Sequence, residues 1–374
     1  MTSEEGRAVR HPQDFARRIS LLGAARPGDA HLLKLERGPR SLLARELVHL
    51  SEVTHGALVE GAALIGRHPA LPVRAGHVNL LADLLERLGW SEPQAWVEHW
   101  QQRGGTALAL AAWPFPVAAD WLWCVGFPLL TRLESCCGCL PRQLIGLSGL
   151  PGCGKSSLAK WIDMAASELD LSVSVVSLDD FYWPASEMDQ AMRGNPWSVP
   201  RALPGSHDLV LIQECLARWR QTGELRIPQF DKSLRGGRGD RCGWQHSNSD
   251  VLLLEGWFLG ASPQANRSLD PELTAQELSY RQQALTKLED YQWLWQSLDQ
   301  LWHLRAPGVF ASRLWKQQQE QSMESRTGVR LSTQELEGFI RMIETALPQE
   351  SLQSINQADV VVELTDERVI RELR

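Results

Sequence analysis

The sequence has no excess of basic residues. Its 374 residues carry 38 lysines and arginines against 45 acidic side chains, a net charge of −7. Binding to a nucleic acid draws on a surplus of positive charge, so nucleic acid is not an expected partner. The basic stretch at 232–241 suits a small anionic ligand better than a polymer. The length predicts two domains or one elaborated domain, and 43% hydrophobic residues are typical of a globular protein.

The seven cysteines lack regular spacing, and their number is odd. Cys136 and Cys139 form a CxxC pair, but neither a second pair nor a nearby histidine completes a zinc site. The first residues are polar and acidic, without an apolar leader. We therefore expect reduced thiols and a cytoplasmic location.

An unbroken apolar run long enough to cross a bilayer is also missing. The most apolar stretch, 108–130, contains three prolines, a glycine and Asp120. A membrane span needs about 20 predominantly apolar residues. We therefore expect buried helices and turns in this stretch, and no membrane contact.

What the sequence does contain is a complete phosphate-binding loop (P-loop) signature. Residues 149–156 read Gly-Leu-Pro-Gly-Cys-Gly-Lys-Ser, between a strand-like and a helix-like stretch, as G-x-x-x-x-G-K-[ST] requires. Glycines let backbone N–H groups turn towards phosphate oxygens, and the helix start adds free donors. Lys155 is expected to reach the β- and γ-phosphates of ATP, and the Ser156 hydroxyl to bind Mg²⁺. The predicted nucleotide-binding residues are Gly149, Gly152, Cys153, Gly154, Lys155, Ser156 and Ser157.

Apolar strands alternate with helices from about residue 115 onwards. This alternation predicts an α/β fold whose mostly parallel sheet is covered by helices. Residues 1–110 instead read as an N-terminal helical region with no chemical motif, an appendage or a partner surface, in which Trp90, Trp96 and Trp100 are packing residues. The second predicted domain spans 115–374. Its strands are predicted at 143–148, 173–178, 251–255, 301–305 and 360–364, and its helices at 155–169, 207–222, 273–297 and 333–346.

Acidic residues follow two of these strands, at the sheet edge where ligands bind in open parallel sheets. Asp179 and Asp180 follow the strand at 173–178, and Glu255 ends the strand at 251–255. We predict Asp179 as the general base for an attacking hydroxyl and Glu255 as a metal-side carboxylate. Lys155 completes the predicted catalytic set, and Ser156, Asp179 and Glu255 form the predicted metal-binding set. The strand ends in Glu-Gly and not in the Asp-Glu of a motor ATPase, which favours a small-molecule kinase. The sequence also lacks Asn-Lys-x-Asp, which argues against a GTPase.

Polar loops between these strands supply candidate acceptor-binding residues. A small hydroxylated carboxylate suits them, because arginine and lysine pair with carboxylates while histidine and aspartate bind hydroxyls. Farther along, Arg313 and Lys316 are predicted in a basic lid over the γ-phosphate, although an ordinary surface helix explains them equally well. The acceptor-binding candidates are Asp180, Tyr182, Arg201, His207, Asp208, Asp231, Lys232, Arg238 and Arg241.

Five segments in one order carry a family resemblance. They read Ser-Leu-Asp-Asp-Phe-Tyr, Leu-Pro-Gly-Ser-His-Asp, Ile-Pro-Gln-Phe-Asp-Lys-Ser, Gly-Arg-Gly-Asp-Arg and Leu-Leu-Glu-Gly-Trp-Phe-Leu-Gly. Together they resemble the plant-type D-glycerate 3-kinases, a branch of the P-loop kinases that includes uridine kinase, pantothenate kinase and phosphoribulokinase. The resemblance covers about residues 115–374 and implies the P-loop kinase fold. By motif, Asp179 matches the family's strand-end base and Glu255 its second acidic position.

The activity that the resemblance implies is transfer of the ATP γ-phosphate, with Mg²⁺, to the 3-hydroxyl of D-glycerate, a photorespiratory step in photosynthetic organisms. Two alternatives stay open. One is a kinase for another small hydroxylated acceptor, such as a nucleoside, pantothenate or a sugar phosphate. The other is a nucleotide-sensing protein without catalysis, which the intact set of Lys155, Ser156, Asp179 and Glu255 argues against. The residues do not decide between the 2- and 3-hydroxyls of glycerate.

Overall fold

The computed structural model describes residues 78–104, 121–264, 271–327 and 331–374. All of them fall within one compact unit, His49–Arg374. The predicted boundary between 110 and 115 lies outside the described residues, so the division into two domains stays a prediction. Most of the predicted N-terminal helical region lies outside them as well.

Six strands form a central sheet in the order β2-β5-β1-β6-β7-β8. All neighbouring pairs are parallel except β7 with β8. Every residue of β5 is buried, which is typical of a strand covered on both faces. The five predicted strands and the mostly parallel α/β sheet are thus confirmed. Along the described chain the strands are β1 (Gln143–Gly149), β2 (Val173–Ser177), β3 (Glu224–Asp231), β4 (Asp240–Asn248), β5 (Val251–Gly256), β6 (Gln300–Arg305), β7 (Val360–Leu364) and β8 (Ile370–Leu373).

Helices separate the parallel strands, as the sequence predicts. The helices that the structure describes are α1 (Val78–Arg87), α2 (Pro93–Gln102), α3 (Phe127–Cys136), α4 (Lys155–Glu168), α5 (Ala185–Ala191), α6 (Leu209–Thr222), α7 (Ala275–Glu289), α8 (Gln292–Gln296), α9 (Val309–Thr327), α10 (Thr333–Thr345) and α11 (Gln349–Gln353). A π-helical turn, Leu122–Gly126, leads into α3. No helix in the described ranges is both long enough and apolar enough to span a bilayer.

Helices α1 and α2 share one hydrophobic core with α3. Trp96 and Trp100 are fully buried, and their indole Nε1 atoms donate to Thr131 Oγ1 at 2.8 and 3.1 Å. Both tryptophans are therefore packing residues, as predicted. A buried hydroxyl that accepts two indole N–H groups satisfies donors that would otherwise be costly to bury.

Two predictions on secondary structure were wrong. Residues 227–231 and 240–241, predicted in polar loops, lie in the strands of the antiparallel hairpin β3–β4, in which Pro228 is opposite Trp244. A two-stranded hairpin leaves outer edges free, so a proline lacking its N–H is tolerated there. The predicted helix 273–297 is divided into α7 and α8, because the chain turns at Tyr291 and buries that phenol beneath the site described below.

Candidate active site

The P-loop, residues 149–156, joins β1 to α4. Gly152 and Gly154 have φ angles of +85° and +106°, a region that glycine adopts without strain. Gly154 is the N-cap of α4, whose first residue, Lys155, is only 7% exposed. Ser156 is exposed and Ser157 half-buried on the same first turn. This loop-to-helix shape is the one that binds phosphate oxygens at a helix start.

Cys153 is a packing residue of the P-loop. Its side chain is fully buried, and its backbone N–H donates to Leu150 O at 3.2 Å. A Cβ on Gly149 would lie 2.7 Å from the Cys153 sulfur, so the two residues are in close contact. Burial raises the pKa of the Cys153 thiol, opposed by the nearby Lys155 charge, and the protonated form is favoured.

Helix α9 and the β7–β8 turn pack against the P-loop. A Cβ on Gly152 would lie 2.5 Å from Trp315 Cβ, which shows how closely α9 approaches. Trp315 is fully buried, and Arg368 Nε donates to Gly152 O at 2.7 Å. The Arg368 guanidinium also lies 5.1 Å from the Trp315 ring centroid. These contacts fix the backbone of the loop before any nucleotide arrives.

Gly152→Ala is expected to lower the free energy of unfolding by about 3 kcal/mol, from positive-φ strain and overpacking against Trp315. Gly138→Ala is the matched control, because Gly138 has φ +76° but no atom within 4 Å of an added Cβ. Strain alone predicts a loss of about 1–2 kcal/mol there. Urea denaturation of both variants measures the difference, and equal losses would show that the Trp315 contact carries no cost.

Glu255 lies beside two hydroxyls, one on the first turn of α4 and one at the end of β2. Its Oε1 accepts from Ser156 Oγ at 3.1 Å and from Ser177 Oγ at 2.9 Å, and its side chain is buried. These oxygen donors fit Mg²⁺, which kinase sites hold through one or two carboxylates, substrate phosphates and water. No cluster of three His, Cys, Asp or Glu that could hold a metal occurs among the described residues. A metal shared with nucleotide phosphates needs no such cluster.

Asp179 lies in the short turn Leu178–Phe181 after β2, where its Oδ2 accepts from Lys232 Nζ at 2.6 Å. Burial raises the pKa of Asp179, but the charge and hydrogen bond of Lys232 outweigh it and hold that pKa well below its usual range. The charge of Asp179 in turn raises the pKa of Lys232, against the effect of burial. Both groups are therefore ionised, and Asp179 contacts Lys232 rather than the Ser156–Glu255 pair.

Asp180 and Tyr182 support this turn. Asp180 Oδ2 accepts from the Ser177 backbone N–H at 3.3 Å, and burial raises the Asp180 pKa to about 6. Tyr182 is buried and stacks on His207, with ring centroids 4.6 Å apart and an interplanar angle of 25°. Burial also raises the pKa of Tyr182, so its hydroxyl stays protonated. The aromatic stack places His207 next to the strand-end turn.

His207 shares a hydrogen bond with Tyr291. Its Nδ1 lies 2.8 Å from Tyr291 Oη, and that hydroxyl accepts from the Gly205 N–H at 2.9 Å. The direction of the bond between Nδ1 and Oη depends on the tautomer of the imidazole. Burial lowers the pKa of His207 to about 4, opposed by the Asp179 charge. His207 is 2% exposed, and its Nε2 is buried without a hydrogen-bond partner among the described residues.

A cavity of about 580 Å³ also borders His207. Its other walls come from the loops and helices around α5 and α7, including Trp183 and Lys287. Lys155, Ser156, Asp179 and Glu255 do not line it. The cavity is therefore separate from the phosphate-binding residues.

Several acceptor-binding candidates already have protein partners. Asp208 caps α6 through Leu211 N and pairs with Arg241 at 3.1 Å. Arg241 also donates to Tyr182 O, which ties the β3–β4 hairpin to the Asp179 turn. Two further candidates have partners as well: Arg238 pairs with Asp189 at 2.7 Å, and Asp231 accepts from Ser233 N and Oγ.

Three cations form a local group near Asp179: Arg201, Lys232 and Lys316. Arg201 donates to the backbone carbonyls of residues 237 and 238, and Lys316 Nζ donates to Glu320 Oε1 at 2.6 Å. Arg201 and Lys316 lie 5.8 and 5.3 Å from the centroid of one ring, that of Phe339. Burial lowers the pKa of Lys316, and the charges of Lys232 and Arg201 lower it further, against Glu320. Lys316 therefore lies within the field of the other two cations.

The predicted lid segment belongs to helix α9. Lys316 lies in the cation group, whereas Arg313 pairs with Glu337 at 3.0 Å and Glu344 at 3.2 Å, both on α10. The structure thus brings Lys316, but not Arg313, to the acceptor-side candidates. Sequence reasoning missed Ser177, Tyr291, Trp315 and Arg368, whose contacts join segments too distant for any spacing rule to connect.

No protein-family model matches the sequence. The uncharacterized kinase mug58 of Schizosaccharomyces pombe is 31% identical over 212 residues, which cover 53% of this chain and 76% of the yeast protein. The chloroplastic D-glycerate 3-kinase of Arabidopsis thaliana is 32% identical over 149 residues, which cover 36% of this chain and 33% of the plant protein. The chain belongs to the D-glycerate 3-kinase-type P-loop kinases. The alignment between this chain and the plant enzyme covers only a third of the plant enzyme.

The fold of this kinase agrees with that assignment. The solved structure of D-glycerate 3-kinase from Cryptococcus neoformans var. grubii matches with a TM-score of 0.54 at 22% identity. The match covers 67% of this chain and 96% of the fungal one. At that identity it establishes the P-loop kinase fold alone. The yeast relative, of which the match covers 76%, makes the chain a kinase and therefore a phosphotransferase.

Proposed function

We propose that this kinase transfers the γ-phosphoryl group of ATP to the 3-hydroxyl of D-glycerate, giving 3-phosphoglycerate and ADP. The observation that carries the proposal is the position of the Asp179–Lys232 pair beside the phosphate and metal residues. Glu255 lies opposite Ser177 in the β2–β5 ladder, and β5 pairs with β1, which leads into the P-loop. The name of the Arabidopsis relative supports glycerate as the acceptor.

Each residue of the site has a role in this reaction. Lys155 and the N–H groups at the start of α4 bind the phosphates. Ser156 and Glu255 would hold Mg²⁺, which neutralises phosphate charge when it is bound. Asp179 accepts the proton of the acceptor hydroxyl as its oxygen bonds to the γ-phosphorus and ADP leaves.

The acceptor contacts come from the opposite side of the site. Lys232 and Arg201 supply positive charge for the glycerate carboxylate. The Nε2 of His207, buried and without a hydrogen-bond partner among the described residues, can form a hydrogen bond with an acceptor hydroxyl. A buried polar atom without a partner is costly, so a ligand that pairs with it gains affinity. These contacts together favour a small acid that also carries hydroxyls.

The assay of this function is ADP release from Mg-ATP in the presence of D-glycerate, with the product coupled to enolase with and without phosphoglycerate mutase. We expect activity that requires the mutase, because enolase accepts 2-phosphoglycerate and not 3-phosphoglycerate. Coupling without the mutase would instead mean transfer to the 2-hydroxyl. ATP turnover with a nucleoside, pantothenate or a sugar phosphate, but not with glycerate, would replace the proposal by the alternative acceptor class.

Three broader expectations from the sequence stay predictions. They are a cytoplasmic location, a part in photorespiration and a partner surface on residues 1–110. None of them is needed for the reaction proposed above.

A further inference from the structure

The Asp179–Lys232 ion pair joins two residues with different proposed tasks. Asp179 is to accept a proton, and Lys232 is to bind the acceptor carboxylate. At 2.6 Å, the Lys232 ammonium contacts Oδ2, one of the two carboxylate oxygens of Asp179. A carboxylate stabilised by a direct ammonium contact is a weaker proton acceptor. In the structure as it stands, Asp179 is therefore a weakened base.

Lys232 is the member of the cation group whose partner can be exchanged. Its side chain is 54% exposed and that of Asp179 is 26% exposed, so a solute can reach both. An ion pair that solvent reaches can exchange one partner for a solute carboxylate. Arg201 is instead bonded to backbone carbonyls, and Lys316 to the buried Glu320. A newly arrived carboxylate thus competes most easily for Lys232.

We propose that the carboxylate of the acceptor displaces Asp179 from Lys232, and that this exchange frees Asp179 to accept the hydroxyl proton. The proposal rests on the function proposed above. Charge balances, because one carboxylate replaces another beside the same ammonium. The acceptor oxygen then bonds to the γ-phosphorus, the bond to the bridging oxygen breaks, ADP leaves and the proton ends on Asp179.

The charge of the acceptor therefore affects the rate of phosphoryl transfer as well as the affinity of binding. A neutral acceptor of the same shape leaves Lys232 paired with Asp179, so it binds next to a weakened base. Glycerate suits the exchange, because a single carbon separates its carboxylate carbon from the carbon of its 3-hydroxyl. One molecule can then contact Lys232 and Asp179 together, since the two side chains are adjacent.

The test compares D-glycerate with its neutral amide in the wild type, in Lys232→Met and in Lys232→Arg, with kcat and KM measured separately. For the wild type we expect a kcat roughly 10²-fold higher with glycerate than with the amide, within the range of general base catalysis. In Lys232→Met, kcat with glycerate falls and kcat with the amide rises, because Asp179 is no longer paired. Lys232→Arg restores the preference for glycerate in kcat.

Arg218→Met is the matched control, since it removes another exposed ion pair, that with Glu224 at the start of the hairpin. It should leave both acceptors unaffected. If Lys232→Met raises KM for glycerate but leaves kcat for the amide unchanged, Lys232 only binds and the inference is overturned. If the wild type phosphorylates a nucleoside and neither glycerate nor its amide, the proposed function fails and the inference fails with it.

Discussion

Lys155→Met is expected to lower kcat by about 10³-fold and to weaken ATP binding, the loss typical of removing one preorganised group that stabilises developing charge. Lys155 is buried at the first position of α4, directly after the positive-φ Gly154. Methionine keeps an unbranched apolar side chain of similar length, so the packing of the loop is retained. What is lost is the ammonium that meets the β- and γ-phosphates.

The measurement is steady-state ADP release together with ATP binding by isothermal titration calorimetry. Lys160→Met is the matched control, because Lys160 is exposed on the same helix and its loss should leave turnover unchanged. Turnover of Lys155→Met close to the wild-type rate would contradict the assignment of residues 149–156 as the phosphate site. A variant that no longer unfolds cooperatively would be replaced by Lys155→Arg, which keeps the charge but changes the reach of the side chain.

The parallel sheet was predictable because its central strands, β1 and β5, are apolar along most of their length. Strands such as β1 and β5 are buried on both faces, so burial alone dictates a continuous hydrophobic run. The P-loop was predictable for a related reason. The left-handed backbone at positions 152 and 154 needs glycine, and that need leaves a fixed spacing in the sequence.

The β3–β4 hairpin escaped prediction because it is packed on one side only and its strands carry many polar residues. β4 exposes most of its side chains, including Trp244, whose ring lies 4.1 Å from the Arg226 guanidinium. Its strands are held by their own ladder and by contacts such as Arg241 with Asp208. No periodic apolar pattern results, and periodicity is the main signal for a strand.

The contacts within the candidate site could not be predicted from the sequence either. Asp179 and Lys232 are 53 positions apart, and His207 and Tyr291 are 84 positions apart. Motifs named Asp179, Lys232 and His207 separately, yet only the folded chain brings the carboxylate to the ammonium and the imidazole to a phenol. Tyr291 has no motif of its own, and its contact with His207 Nδ1 is visible only in the structure.

Asp179→Asn is expected to lower kcat by about 10²- to 10⁴-fold while ATP binding is retained, because the amide keeps the shape of the side chain but cannot accept the hydroxyl proton. Lys155, Ser156 and Glu255 do not depend on Asp179 for their contacts. Asp189→Asn is the matched control, since Asp189 also pairs with cations of the hairpin region, Arg235 and Arg238. That change should leave kcat within a factor of about two, as for most exposed ion pairs.

A magnesium titration of the same variant separates the two roles that the sequence predicts for Asp179. If Asp179 is a proton acceptor, Asp179→Asn lowers kcat, and the Mg²⁺ concentration at half-maximal activity stays as in the wild type. As a metal ligand, its loss would raise that concentration, as a Glu255→Gln change is expected to do through its contact with Ser156. The ion pair with Lys232 favours the first result, because the ammonium at 2.6 Å from Oδ2 already supplies a positive charge beside this carboxylate. An unchanged kcat in Asp179→Asn would remove both roles and leave Asp179 as the partner that positions Lys232.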